Sequence, residues 1–168
     1  PADVFTVAVQ GTGVLTFAGL APGASVNRTV PCASIQRQIT VDPANVLKIY
    51  IATSGGGAWK TADGGVTWAP MADGWATLNT SAITVDQNAV YFGQINGGGS
   101  LQAGGVYVCD KFNGCNNNPI ALFTGVDYPR SLALYNNTMF AADGNAGILF
   151  TCPLTGCNGV PGANQISN

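Results

Sequence analysis

Apolar residues alternate with polar ones in short runs, and these runs recur along the chain. The run Ile39-Thr40-Val41-Asp42 returns 44 positions later as Ile83-Thr84-Val85-Asp86, and a second β-rich run, 48–51 or 89–92, follows each copy. A weaker third copy occupies 131–134 and 138–141. Alternation with a period of two predicts β-strands. A repeat of this length is typical of a propeller blade or a related β-array.

Each repeat also contains a predicted third strand, then a tight turn and a weaker fourth strand. The third strands are expected at 58–60, 106–108 and 148–150. Asn-Gly and Asp-Gly pairs, which tolerate the positive φ of tight hairpins, recur between the runs. No segment has a convincing helical pattern. We therefore predict an all-β fold, a propeller-like array of about three to four antiparallel sheets that is open or completed by neighbouring subunits.

The repeats divide the chain into two predicted parts. Residues 35–168 form a β-repeat domain, with repeats at about 35–77, 78–124 and 125–168. Residues 1–34 fit the repeat poorly and are predicted to form an N-terminal β-segment, either a degenerate blade or exchanged strands.

Charge and cysteine content narrow the class of protein. The 168 residues include eight acids, all of them Asp, and six bases, with no Glu and no His, so the net charge is −2. Such a charge favours neither nucleic acid nor an acidic membrane as partner. No apolar run approaches the roughly 20 residues that span a membrane. Five Cys and the scarcity of Lys and Glu favour a secreted, extracellular protein.

One eight-residue motif is specific enough to indicate a protein family. Residues 61–68 read Thr61-Ala62-Asp63-Gly64-Gly65-Val66-Thr67-Trp68 and match the pattern [S/T]-x-D-x-G-x-T-W at every fixed position. The chain thereby resembles the Asp-box (bacterial neuraminidase repeat) β-propeller proteins. The resemblance implies a structural hairpin turn. We expect Asp63 to accept backbone N–H bonds, Gly65 to permit positive φ and Trp68 to cover the hairpin, rather than Asp63 to act as a catalytic acid or metal ligand.

The resemblance does not select an activity. Families with this box include sialidases, xyloglucan hydrolases, sorting receptors and many binders that are not enzymes. A sialidase site needs an arginine cluster and a Tyr paired with Glu. This chain has three Arg, Arg28, Arg37 and Arg130, and no Glu, so it does not fit a sialidase.

The C-terminal half resembles the cysteine-bearing repeats of secreted bacterial propellers. Cys109 with Cys115 and Cys152 with Cys157 stand where the Asp box stands in the first repeat. We infer two disulfides that replace the box as the staple of that turn. A zinc site would need all four of these Cys, because the chain has no His. Cys32 is left over, either as a buried thiol or as a bond to another chain.

No catalytic, cofactor or metal site is predicted. Glycosidases need two carboxylates, but Asp42 and Asp86 recur at equivalent places in successive repeats, which indicates a turn role. The loop residues Asp73, Asp127 and Asp143 have no spacing that forces them together. A Ser or Cys nucleophile would lack a His base.

The sequence also contains aromatic residues that could stack on glycans and asparagines that could carry glycans. Trp59, Trp75, Tyr107 and Tyr128 could form a sugar-stacking surface, although aromatic residues at strand positions more often fill a core. Of the four, we expect Trp75 to be the exposed one, because it lies in a Gly-flanked loop, and to be available for glycan stacking. The sequons at Asn27, Asn79 and Asn136 are candidate glycosylation sites.

The repeat count suggests a function. An open stack of sheets leaves unpaired edge groups that recruit other strands, and three Lys give little edge charge. The sequence therefore predicts a secreted, non-enzymatic structural or adhesive protein that self-associates through sheet edges, as an extracellular fibre or surface-layer subunit. The alternatives are a carbohydrate-binding propeller module and, more weakly, a glycoside-hydrolase fragment that uses Asp residues.

Overall fold

The structure is a computed structural model of the chain. The described residues contain strands, turns and bends and no helix, which confirms the predicted all-β class. No helix in this part of the chain could therefore cross a membrane. The description covers residues 6–10, 14–18, 25–29, 36–72, 74–75, 77–96, 104–111, 115, 120–145, 147–155 and 162–165.

Four antiparallel sheets account for the strands of the described residues. The first sheet has three strands, β1 (Thr6–Gln10), β2 (Val14–Ala18) and β3 (Ser25–Thr29). The second sheet has four, β4 (Gln36–Asp42), β5 (Asn45–Thr53), β6 (Gly57–Thr61) and β7 (Ala69–Pro70). The third is formed by β8 (Thr80–Val85), β9 (Ala89–Gln94), β10 (Gly105–Asp110) and β11 (Ile120–Thr124), and the fourth by β12 (Pro129–Tyr135), β13 (Thr138–Asp143), β14 (Ile148–Pro153) and β15 (Gly162–Gln165).

The three four-stranded sheets share one plan. Strands follow each other in chain order from one edge of the sheet to the other. The first strands, β4, β8 and β12, lie side by side, with β8 in contact with both of the others. This is the arrangement of blades in a propeller. We call the three sheets blades 1, 2 and 3, and β4, β8 and β12 their inner strands.

Burial on both faces explains why the second strands are nearly continuous apolar runs. In β9 every residue from Val90 to Gln94 is buried, because blade 2 lies between blades 1 and 3. The core between blades 1 and 2 includes Tyr50, Ala52, Ala58, Trp75, Ile83 and Phe92. The core between blades 2 and 3 includes Tyr91, Val106, Phe123, Leu132, Met139 and Ala141.

The inner edges of the blades find hydrogen-bond partners in the adjacent blade. The amide N–H of Ile83 on β8 donates to the Gln38 side-chain oxygen on β4, at 2.9 Å. The Ser81 hydroxyl on β8 donates to the Pro129 carbonyl on β12, at 2.5 Å. Side chains thus give these two inner-edge groups a partner in the adjacent blade. The outer strand β7 of blade 1 has only two residues and ends at Pro70, which has no N–H to offer a further strand.

A buried ion pair joins blade 1 to blade 2 at the far end of the inner strands. The Lys111 ammonium lies 2.7 Å from Asp42 Oδ1, and the two side chains are 3% and 0% exposed. The ammonium also donates to the carbonyls of Asp86 and Gln87, at 3.0 and 3.2 Å. Burial raises the pKa of Asp42, but the hydrogen bonds from Lys111 and from the Ala44 N–H outweigh it, so the pKa lies below its usual value.

We expect Lys111→Met to destabilise the fold by about 3–5 kcal/mol, because it leaves the Asp42 carboxylate buried without its cation. Adding Asp42→Asn should restore part of that loss, so the double variant should cost less than the two single variants together. Urea unfolding followed by tryptophan fluorescence measures all three. Lys60→Met, on an exposed position of β6, is the control and should change stability by less than about 0.5 kcal/mol. Strict additivity of the two single changes would contradict a direct pair.

Candidate functional site

The Asp box forms a closed set of hydrogen bonds at the end of β6. Asp63 Oδ1 accepts from the Thr61 hydroxyl at 2.7 Å and from the Thr67 amide at 2.9 Å, and Asp63 Oδ2 accepts from the Thr67 hydroxyl at 2.5 Å. Gly65 has a φ of 94°. Trp68 packs on Ile49 and Ile51. These hydrogen bonds hold the pKa of Asp63 well below its usual range, and the bonds from Thr67 have the largest effect. The carboxylate is therefore committed to the turn, as the motif predicts.

We expect Asp63→Asn to lower the thermal midpoint at pH 7 and to flatten its acid dependence. Because the folded-state pKa of Asp63 is lowered from 3.8, the carboxylate stabilises the fold above that pH and loses this effect as pH falls below it. Thermal unfolding between about pH 6 and pH 2 measures both effects. Thr67→Ser keeps the hydroxyl donor and should retain most of the stability. An unchanged pH profile in Asp63→Asn would show that the box bonds do not stabilise the fold.

The disulfide staple is confirmed for the second repeat. Cys109 and Cys115 are joined, and both are buried at the end of blade 2 that corresponds to the Asp box of blade 1. Lys111 lies inside the loop that this disulfide closes. Cys152 is also disulfide-bonded, while its predicted partner Cys157, and the leftover Cys32, lie outside the described residues.

The prediction for Trp75 is wrong. Its side chain is 6% exposed and packs edge-on against Phe92, with ring centroids 5.0 Å apart and planes at 80°. The glycine-flanked loop folds inward because the indole fills the core between blades 1 and 2. Trp75 is therefore not available to stack on a glycan.

The sequons differ in their surroundings. The Asn79 side-chain oxygen accepts from the Ser54 hydroxyl at 3.0 Å, so this amide is engaged. Asn136 is exposed at the tip of the β12–β13 hairpin, where Asn136 and Asn137 have φ of 47° and 57°. The side chain of Asn27 lies outside the described residues. Glycosylation at the three sequons stays a prediction.

Polar groups of all three blades converge where the inner strands begin. The antiparallel plan brings the first residue of each inner strand and the last residue of each second strand to the same end of the blade. We call this end the strand-start face. The side chains that it gathers are Arg37, Ser54, Asn79, Tyr128 and Arg130, and none of the sequence patterns had joined them.

Two guanidinium groups share one aromatic ring on this face. Arg37 Cζ of blade 1 lies 5.7 Å from the centroid of the Tyr128 ring, and Arg130 Cζ of blade 3 lies 4.8 Å from it. The two Cζ atoms are therefore at most 10.5 Å apart, the sum of those distances. Each cation–π contact stabilises by roughly 0.5–1 kcal/mol at an exposed site. The Tyr128 ring thus contacts one cation from blade 1 and one from blade 3.

Neither arginine is neutralised by direct contact. Within the described residues, no carboxylate oxygen lies within 4.0 Å of either guanidinium, and Arg37 donates to the Ser54 hydroxyl at 3.3 Å. Arg130 lies across the backbone of Gly144, where any β-carbon would meet its Cγ, Cδ and Nε atoms. A glycine at 144 thus allows Arg130 to lie beside Tyr128.

Two carboxylates that sequence spacing did not bring together also belong to this face. Asp143 Oδ2 accepts from the Tyr128 amide at 3.1 Å, and its Oδ1 accepts from the Asn145 amide at 2.7 Å. Asp127 precedes Tyr128, is exposed, and accepts from the Asn96 side-chain amide at 3.0 Å.

The other candidate carboxylates lie elsewhere. Asp42 is engaged in the buried ion pair. Asp86 accepts from the amides of Asn88 and Ala89, and from the Tyr91 hydroxyl at 2.9 Å. Burial and this bond to Asp86 raise the pKa of Tyr91. Both carboxylates lie at the end opposite the strand-start face, and Asp73 is outside the described residues.

No protein-family model and no curated protein matches the sequence. The fold, however, matches solved structures. A Bacteroides uniformis protein provisionally named 6-phosphogluconolactonase matches 95% of this chain and 50% of its own, at 13% identity and a TM-score of 0.63. A Bacteroides fragilis protein with the same provisional name matches 91% of this chain and 48% of its own, at 15% identity and a TM-score of 0.61. A GH74 enzyme from Niastella koreensis matches 95% of this chain and 27% of its own, at 16% identity and a TM-score of 0.61.

These similarities show a propeller-like fold and nothing finer. The chain spans about half the length of the two Bacteroides proteins. The specific resemblance to Asp-box proteins continues to rest on residues 61–68, since no family model supports it.

The predicted fibre or surface-layer role is wrong. The three matched natural proteins described above carry the names of enzymes rather than of structural subunits. Side chains of the inner strands bond from one blade to the next, while the sheets themselves remain open.

Proposed function

We propose that the strand-start face is a carbohydrate-binding site. The observation that carries this proposal is Tyr128, a half-buried ring held between polar groups of different blades. Binding sites for small molecules combine apolar surface with a few fixed polar groups. Arg37 and Arg130 supply donors of fixed planar geometry, while Ser54 and Asn79 add a hydroxyl and an amide.

The comparisons support a carbohydrate ligand. The name 6-phosphogluconolactonase refers to a phosphorylated sugar lactone, and two of the matched structures bear it. We propose glycans or small sugar derivatives as the partners of this chain. We also propose an extracellular location, because a buried Cys109–Cys115 disulfide is typical of oxidising compartments.

Replacing Tyr128 tests the site. We expect Tyr128→Ala to weaken binding of the best ligand on a glycan array by about tenfold or more, since the ring is the surface that positions the other groups. Tyr135→Ala is the matched control, because Tyr135 ends the strand β12 that begins just after Tyr128, and it is 76% exposed. Equal losses in both variants, or no bound glycan, would overturn the proposal.

A second candidate function is hydrolysis of the bound sugar derivative. The observation in its favour is that Asp143 accepts from the Tyr128 amide and Asp127 is the residue before Tyr128, since sugar hydrolysis commonly employs a carboxylate as base. Asp127 is the exposed member of the pair and would activate water, while Asp143 orients the loop through the Tyr128 amide.

Turnover separates this candidate from binding alone. If Asp127 acts as a base, Asp127→Asn should reduce hydrolysis of a phosphorylated aldonolactone by at least about 100-fold, with little change in binding. Proton release at constant pH measures the rate. Turnover that is absent, or equal in Asp127→Asn, would eliminate the candidate and leave the binding proposal intact.

A further inference from the structure

The strand-start face brings two arginines together where, among the described residues, no carboxylate contacts them. Two of the three arginines of the chain, Arg37 and Arg130, lie on one tyrosine ring. They come from blades 1 and 3, so their proximity is produced by the packing of the inner strands. Cationic side chains that only support a fold are commonly paired with carboxylates, as Lys111 is with Asp42 at the other end.

The carboxylates of this face do not provide that pairing. Asp143 directs both oxygens toward backbone amides, those of Tyr128 and Asn145. Asp127 accepts from the Asn96 amide. Within the described residues, neither carboxylate reaches within 4.0 Å of either guanidinium. Among the described residues, these guanidiniums therefore keep N–H donors that no carboxylate accepts.

From this arrangement we infer that Arg37 and Arg130 together bind an oxyanion group, a carboxylate or a phosphate, carried by the ligand of the strand-start face. A guanidinium presents a planar fork of donors that matches either group. Both guanidiniums contact the Tyr128 ring, so their Cζ atoms are at most 10.5 Å apart, and we place the shared anion beside that ring, at N–H···O distances of about 2.8 Å. Ser54 and Asn79 lie beside Arg37, where neutral hydroxyls of the same ligand would bind.

This inference rests on the proposed carbohydrate site and specifies its ligand class as acidic sugars. It also gives Gly144 a role. A side chain at 144 would displace Arg130 without removing its charge.

Calorimetry with four probes tests the inference: glucose, glucuronate, glucose 6-phosphate and inorganic phosphate. We expect at least one acidic sugar to bind about tenfold or more tighter than glucose. Arg37→Gln and Arg130→Gln should each weaken that binding by about tenfold, the range for a charge-assisted bond. Preference for glucuronate would indicate a carboxylate ligand, and preference for glucose 6-phosphate would indicate a phosphate ester.

The controls separate site chemistry from general charge and from folding. Lys60→Gln removes one positive charge from an exposed position of β6 and should weaken binding by less than about twofold. Gly144→Val should weaken binding as Arg130→Gln does. Circular dichroism and the thermal midpoint verify that each variant is folded.

The outcomes distinguish the two proposals. If glucose binds as tightly as the acidic sugars, or if Lys60→Gln costs as much as the arginine changes, the oxyanion inference fails while the carbohydrate site stands. If inorganic phosphate binds in an arginine-dependent way and sugars add no affinity, the oxyanion site stands and the carbohydrate proposal fails. If no probe binds, both fail.

Discussion

The inner edges of β4, β8 and β12 set the constraint on which this molecule depends. Each inner strand is an edge of its sheet, and edge N–H and C=O groups that are buried must find partners. Gln38 and Ser81 supply them from the adjacent blade. These bonds hold the strands side by side and fix which ends of the blades lie together. The apolar cores between blades then form around that arrangement.

The two ends of the blades carry different chemistry. At one end, the Asp box and the Cys109–Cys115 disulfide close the turns, and Lys111 neutralises a buried Asp42 from the neighbouring blade. All of that polar chemistry is internally satisfied or nearly so, as a supporting structure requires. At the other end, two arginines share an aromatic ring and have no carboxylate in contact among the described residues. The proposed site rests on this convergence of two arginines on one tyrosine.

Local patterns predicted most of the fold and little of the site. Period-two alternation and the Ile-Thr-Val-Asp repeat placed the strands, and the eight residues of the Asp box predicted their own hydrogen bonds. Trp75 was misjudged because the glycines beside it indicate a turn but not the direction in which the loop folds. Tyr128 and Arg130 are two residues apart at the start of blade 3, but Arg37 comes from blade 1, and only the packing of the inner strands brings it to them. Sequence spacing alone could not show that third contact.

NMR mapping of the backbone amides during titration with glucuronate or glucose 6-phosphate tests the central claim most directly, that three blades assemble one binding face. The account predicts that shifts concentrate together at residues 37, 54, 79, 128 and 130, with amides near Leu47 and Tyr135 at the opposite end unchanged. Shifts confined to one blade, or centred at that opposite end, would contradict it.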